Sequence, residues 1–264
     1  MAEEEQLAQM KAQVYRDPRP SEYFDGFHER TRTREPDWVY ELVRVVVSLY
    51  AWIVFRTRGI ATDRVPAAGP VILAPNHFSF MDHFFVAALV RRRVRFMGKS
   101  QLFTPPLQWI YTHGGVFPVR RGHNDEEAFT TAESVLERGG PVVMYCEGGR
   151  SRTGRISDTA RRGIGRLVLE SGAPVVPVAI YGSQRVRNWK RLQFPKVTVQ
   201  FGELMTFPVE EHPSRERQHE ISEEVFARVR AMYTGLEKQG RRGVIRALRK
   251  GLPTPESGET SPES

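Results

Sequence analysis

The sequence has a single cysteine, Cys146, among its 264 residues. One thiol excludes an intrachain disulfide and fits a reducing, cytosolic environment. Long apolar runs are also missing. The longest, Val45 to Phe55, reaches only about half way across a bilayer at the usual helical rise. The N-terminal Met1-Ala2-Glu3-Glu4-Glu5 is acidic with no apolar segment behind it, unlike a secretory signal. No Gly-x-Ser-x-Gly supplies the nucleophile of a lipid hydrolase, and neither a Walker loop nor a dinucleotide fingerprint occurs. No internal repeat is visible. Acidic residues are outnumbered, 31 Asp and Glu against 39 Lys and Arg, for a net charge of +8. That balance suits an anionic membrane face, a phosphate-bearing substrate or a nucleic acid. Nucleic acid is the poorest fit, because the basic residues lack interleaved aromatics or a known binding motif.

What is present points to one α/β domain. Residues 2–16 read as a helix with Leu7, Met10 and Val14 on one face, ended by Asp17-Pro18-Arg19-Pro20, within a polar N-terminal segment 1–37. Residues 38–57 read as a helix apolar nearly all round, with Trp38, Tyr40, Tyr50 and Trp52 as interfacial anchors. The reading is a monotopic element lying in the membrane interface; the alternative is a helix buried in the domain. Residues 58–240 then alternate. Strands are expected at 71–74, 94–97, 116–119, 141–146, 175–180 and 197–201, and helices at 82–90, 126–138, 159–171 and 220–238. The alternation predicts a single mixed, largely parallel sheet flanked by helices. Residues 241–264 form a tail: a short basic helix at 241–250, then a Pro-, Ser-, Gly- and Glu-rich end expected to be disordered.

The first chemical constellation is Asn76-His77-Phe78-Ser79-Phe80-Met81-Asp82. It follows a strand, at the end of the sheet where open α/β folds bind ligands. A tight loop folds Asp82 back onto the imidazole of His77, fixes its tautomer and makes the other nitrogen a general base for an attacking alcohol. Two other readings stand beside this one. Asn76 and Asp82 can serve only as helix caps, and His77, Asp82 and His83 can be read as a weak metal site.

Two basic loops follow strands. Gly115 to Val119 runs into Arg120 and Arg121; Cys146 runs into Glu147-Gly148-Gly149-Arg150-Ser151-Arg152. Glycine amides and arginine forks at strand ends suit a phosphate. Glu147 repels one, so it is assigned to orienting an arginine or binding an acceptor hydroxyl. The alternative for each loop is a solvated basic turn. Cys146 ends an apolar strand and reads as a buried, inert thiol. His113 and His123 have no carboxylate nearby in sequence and receive no role.

Taken together, these segments resemble the lysophospholipid acyltransferase family over roughly residues 60–205. The family's Asn-His-x-x-x-x-Asp motif is met at Asn76, His77 and Asp82. Its Gly-strand-Arg motif is met at Gly115 to Arg121, and Glu-Gly-Thr-Arg-Ser at Glu147, Gly148, Gly149, Arg150 and Ser151. Its Val-Pro strand is met at Pro174 to Ile180. The resemblance implies a glycerol-3-phosphate acyltransferase-like fold with His77 as base and Asp82 as its partner. It also implies a substrate site drawn from Asn76, Arg120, Arg121, Glu147, Gly148, Gly149, Arg150 and Ser151. Two departures stand out: Gly149 replaces the usual Thr, and Arg120 stands where an acid is common, making the pocket more basic.

The resulting expectation is acyl transfer from acyl-CoA or acyl carrier protein to the free hydroxyl of 1-acylglycerol-3-phosphate or a related lysophospholipid. No metal and no resident cofactor are required. Arg91, Arg92, Arg93, Lys99 and Arg152 are candidates for the donor's phosphates or an acidic carrier. The place of action is the cytoplasmic face of the cell membrane, peripheral or monotopic. The rival readings are a non-catalytic basic peripheral lipid-binding protein and a lipid thioesterase or hydrolase.

Overall fold

Seven short runs become strands in the computed structural model, which describes Leu7 and residues 16–121 and 125–251. They are β1 (Arg58–Ile60), β2 (Val71–Pro75), β3 (Arg95–Lys99), β4 (Val116–Val119), β5 (Pro141–Val143), β6 (Val175–Tyr181) and β7 (Thr198–Phe201). They form one sheet in the order β1-β7-β6-β2-β5-β3-β4. The run from β6 to β4 is parallel; β7 is antiparallel to β6, and β1 pairs parallel with β7. The fold is the mixed, largely parallel sheet flanked by helices that the alternation predicts.

The period of two along each strand divides the core. Ile72, Ala74, Val142, Val175 and Ala179 face a cluster with α5 (Glu126–Glu137), α6 (Gly163–Ser171) and α7 (Arg215–Arg249). Val71, Leu73, Val143, Val176, Val178 and Ile180 face the other side, with α2 (Trp38–Ile53) and α3 (Asp82–Ala87). Strands covered on both faces read as continuous apolar runs, which is why β2 and β6 stand out in the sequence.

Asp37 caps α2 by accepting the N–H of Val39 at 3.1 Å. The helix buries Val39, Tyr40, Ser48 and Ala51 and leaves Leu42, Val45, Val46, Leu49, Trp52 and Ile53 exposed. The buried and interfacial readings of this segment therefore each describe one of its faces. No described helix is long and apolar enough to cross a membrane.

Several elements differ from the sequence reading. The polar lead-in contains α1 (Asp25–Thr33), docked on α5, where His28 Nδ1 lies 2.9 Å from Thr131 Oγ1. A further helix, α4 (Leu107–His113), precedes β4. The strand expected over 141–146 ends at Val143, and the helix expected from 159 begins at Gly163, because the chain between them builds a loop. The helices expected at 220–238 and 241–250 are both there: α7 is two helical segments interrupted at Gly240, whose φ of 66° and ψ of 170° are not helical, and the first segment begins earlier than expected, at Arg215. Residues 2–6, 8–15 and 252–264 lie outside the described residues.

Candidate active site

Because β2 and β5 are parallel neighbours, the loops leaving their carboxyl ends lie side by side. The first loop folds around one oxygen. Asp82 Oδ2 accepts from His77 Nδ1 at 2.8 Å and from the backbone N–H groups of Phe78 and Ser79 at 2.7 and 2.8 Å. Neither Asn76 nor Asp82 is a helix cap: α3 begins at Asp82 with no side-chain cap bond, and the Asp82 carboxylate instead closes the loop before the helix and fixes the ring. With Nδ1 committed, Nε2 is the acceptor nitrogen, and it has no partner among the described residues. The imidazole stacks on Tyr145, ring centroids 3.9 Å apart, with only 11% of its side chain exposed. Burial holds its pKa below the ordinary value, against the pull of Asp82 and helped by Arg121 and Arg150. Burial therefore favours the neutral imidazole.

The second loop grips the first. Glu147 accepts the backbone N–H of His77 at 2.5 Å through Oε2, and that of Ser157 at 2.9 Å through Oε1. The N–H of Ser151 donates to the carbonyl of His77 at 2.8 Å. Both ends of the His77 peptide unit are thus tied to the segment 147–157. That segment, with Arg121, walls a groove of about 1600 Å³.

Residues 57–181 match the acyltransferase family model. This segment is an acyltransferase-family domain. A chloroplastic 1-acyl-sn-glycerol-3-phosphate acyltransferase of Brassica napus is 24% identical over 144 residues, which is 53% of this chain and 41% of that protein. A glycerol-3-phosphate acyltransferase of Pseudomonas putida is 27% identical over 172 residues, covering 57% of this chain and 21% of that protein. The chain thus spans less than half the length of these curated relatives. In fold it is similar to the 1-acyl-sn-glycerophosphate acyltransferase PlsC of Thermotoga maritima, with a TM-score of 0.59, 21% identity, and coverage of 82% of this chain and 89% of that one.

Within the acyltransferase domain, the residues expected at the site divide by what they touch. Arg121, Gly148, Gly149, Arg150 and Ser151 line the groove together with Glu147. Arg150 is the electrostatic centre: its charge is felt at His77, His83, Lys99 and Arg187. Gly148 sits at φ of 62°, and a Cβ there would meet Cγ of Arg161 at 2.9 Å, so glycine is required on both counts. Ser151 turns its hydroxyl to the carbonyl of Arg155 at 2.7 Å.

Asn76 and Arg120 do other work. Asn76 is fully buried and continues the β2–β6 ladder with its side chain, donating to the Ile180 carbonyl at 3.1 Å and accepting its N–H at 2.7 Å. Arg120 reaches the carbonyl of Arg19 at 3.1 Å. Of the donor-phosphate candidates, Lys99 stands beside Arg121 and Arg150, and Arg152 lines the groove. Arg91, Arg92 and Arg93 precede β3, at the opposite end of the sheet, where Arg92 and Arg93 bond the carbonyls of Pro66 and Pro36 at 3.1 and 2.8 Å.

His83 faces a separate apolar cavity of about 80 Å³ between α2, α3 and α4, where burial drives its pKa down to about 3. Cys146 is buried with its thiol pKa pushed far up. His113 does have a carboxylate, Asp37, and stacks on Trp109. His123 lies outside the described residues.

One residue that binds these loops carries no sequence signal at all. Arg187, in the 3₁₀ segment Ser183–Arg191 after β6, donates to the carbonyls of Phe78 and Arg152, each at 2.9 Å, and to that of Ser151. A single guanidinium thereby laces the two loops together.

Proposed function

We propose that this chain is an O-acyltransferase of glycerolipid synthesis. It moves a fatty acyl group from an acyl thioester, acyl-CoA or acyl carrier protein, to the free hydroxyl of 1-acylglycerol-3-phosphate or a related lysophospholipid. The product is a phosphatidic acid-type lipid. The observation that carries this reading is the His77–Asp82 pair: a neutral imidazole with a fixed tautomer, beside a groove walled by arginines. Nε2 takes the proton of the acceptor hydroxyl, and the oxygen attacks the thioester carbonyl. The new C–O bond forms, the C–S bond breaks, and the thiolate leaves and recovers the proton from the imidazolium. Lys99, Arg121 and Arg150 hold the acceptor's phosphate through charge-assisted hydrogen bonds. No resident cofactor or metal enters these steps.

The exposed apolar faces of α2 and α4 support work at a membrane interface. Trp38 and Trp109 meet edge to face at 6.4 Å, joining Leu42, Val46 and Ile53 on one helix to Leu107 and Ile110 on the other. Such a surface, rimmed by arginines, suits peripheral seating on an anionic leaflet.

The test is release of free thiol from oleoyl-CoA with lysophosphatidate, with glycerol 3-phosphate and with no acceptor. Release that depends on lysophosphatidate is expected. Equal release without acceptor would make the protein a thioesterase and overturn the proposal.

A further inference from the structure

The groove beside the catalytic loops is larger than one acceptor phosphate needs, and two of the cation groups that bear on it matter here. Arg121 and Arg150 on its wall, with Lys99 beside them, form the inner set: both arginines act on Lys99 and on His77. Arg161, Arg162 and Arg215 form an outer set on the same groove, brought there by the turn into α6 and by the first residue of α7. All three are exposed and make no ion pair among the described residues. The groove's carboxylates are largely engaged elsewhere. Glu126 and Glu170 bind Arg166, and both oxygens of Glu147 hold backbone amides. Asp158 is the acid left on that wall, with Glu216 beside Arg162 and Arg215. The outer set is continuous with the catalytic loop, because the stem of Arg161 lies over Gly148 and its N–H donates to the Cys146 carbonyl at 2.8 Å.

We infer that Arg161, Arg162 and Arg215 receive the phosphates of the donor's nucleotide, the 3′-phosphate and diphosphate of a coenzyme A thioester. The inference rests on the acyl-transfer reading above. The volume of about 1600 Å³ exceeds the roughly 300–1,000 Å³ typical of a site for one small ligand. The acceptor has one phosphate, placed a few bonds from its reacting hydroxyl, and so belongs with the inner set that acts on His77. Coenzyme A carries its phosphates at the far end of a long flexible arm, away from the carbonyl. Exposed guanidinium forks match such phosphates two bonds at a time. A concave wall favours a nucleotide, which enters a groove, over an acidic protein helix, which needs a flatter face.

The experiment compares the wild type with the combined variant Arg161→Gln, Arg162→Gln, Arg215→Gln, whose exposed positions keep the fold intact, checked by thermal melting. KM for oleoyl-CoA is expected to rise about tenfold or more with little change in kcat or in KM for lysophosphatidate. The wild type's preference for the coenzyme A thioester over the pantetheine thioester is expected to shrink by a similar factor. Calorimetric binding of adenosine 3′,5′-bisphosphate, which needs no turnover, is expected in the wild type and to weaken in the variant. Unchanged kinetics, a rise confined to the acceptor's KM, or a defect only with acyl carrier protein would each overturn the inference. Nucleotide binding lost in the variant by a protein that transfers no acyl group would uphold this site and refute the proposed reaction. Acyl transfer from coenzyme A with no nucleotide binding would do the reverse.

Discussion

Glu147 holds the backbone N–H of His77 at 2.5 Å, so the carboxylate of one loop fixes the His77 peptide of the other. Its second oxygen holds the N–H of Ser157 at 2.9 Å. Two N–H donors on two oxygens favour the ionised form, and full-strength acceptance at both oxygens requires it, because a protonated oxygen accepts more weakly.

That requirement sets a pH dependence. Burial pushes Glu147 up to about 7, while the two backbone bonds pull it down. The value of kcat/KM is therefore expected to fall as pH drops through about 7. His77, held below its ordinary 6.5, titrates lower. Glu147→Gln should reduce kcat about ten- to hundredfold by loosening the loop, and leave only a limb below pH 6.5. A limb that stays at about 7 in the variant would refute the assignment. Stability runs the opposite way. Folding raises this carboxyl's pKa, so its contribution is greatest below the ordinary value of 4.5 and declines as pH rises to about 7. The variant should lose that slope in pH-dependent melting.

Asn76 is expected to matter for stability before chemistry. Replacing it with Ala leaves the N–H and carbonyl of Ile180 without the partners they have at 2.7 and 3.1 Å, inside the sheet. Asn76→Ala should cost about 2–4 kcal/mol in urea unfolding, at about 1–2 kcal/mol for each buried backbone group left unmet. Unchanged stability with lost activity would instead place Asn76 on the substrate.

The apolar face predicts a separable defect. Val46→Glu with Ile53→Glu alters positions that are 59% and 75% exposed, so melting should not move by more than a few degrees. Cosedimentation with anionic vesicles should fall several-fold. Binding equal to wild type would remove α2 from the membrane contact.

The sheet was legible because β2 and β6 are buried on both faces and so read as unbroken apolar runs. The His77–Asp82 pair was legible because both residues sit on one short loop. What stayed hidden depends on distance along the chain or on buried polar packing. α1 is polar in sequence, and what it buries is His28 and Thr31, so no apolar period marks it. The carboxylate of His113 lies 76 residues earlier, at Asp37. Arg187 reaches Phe78 across 109 residues. In sequence Glu147 reads as orienting an arginine or binding an acceptor hydroxyl; only the folded structure turns both oxygens inward onto amides.

The most direct measurement is lysophosphatidate-dependent thiol release from oleoyl-CoA by His77→Ala, beside the wild type and with melting curves for both. The expected result is an unchanged melting curve and a rate at least about a thousandfold lower, as for loss of a general base in a preformed site. A folded variant that retains substantial acceptor-dependent release would contradict the assignment of His77 as the base.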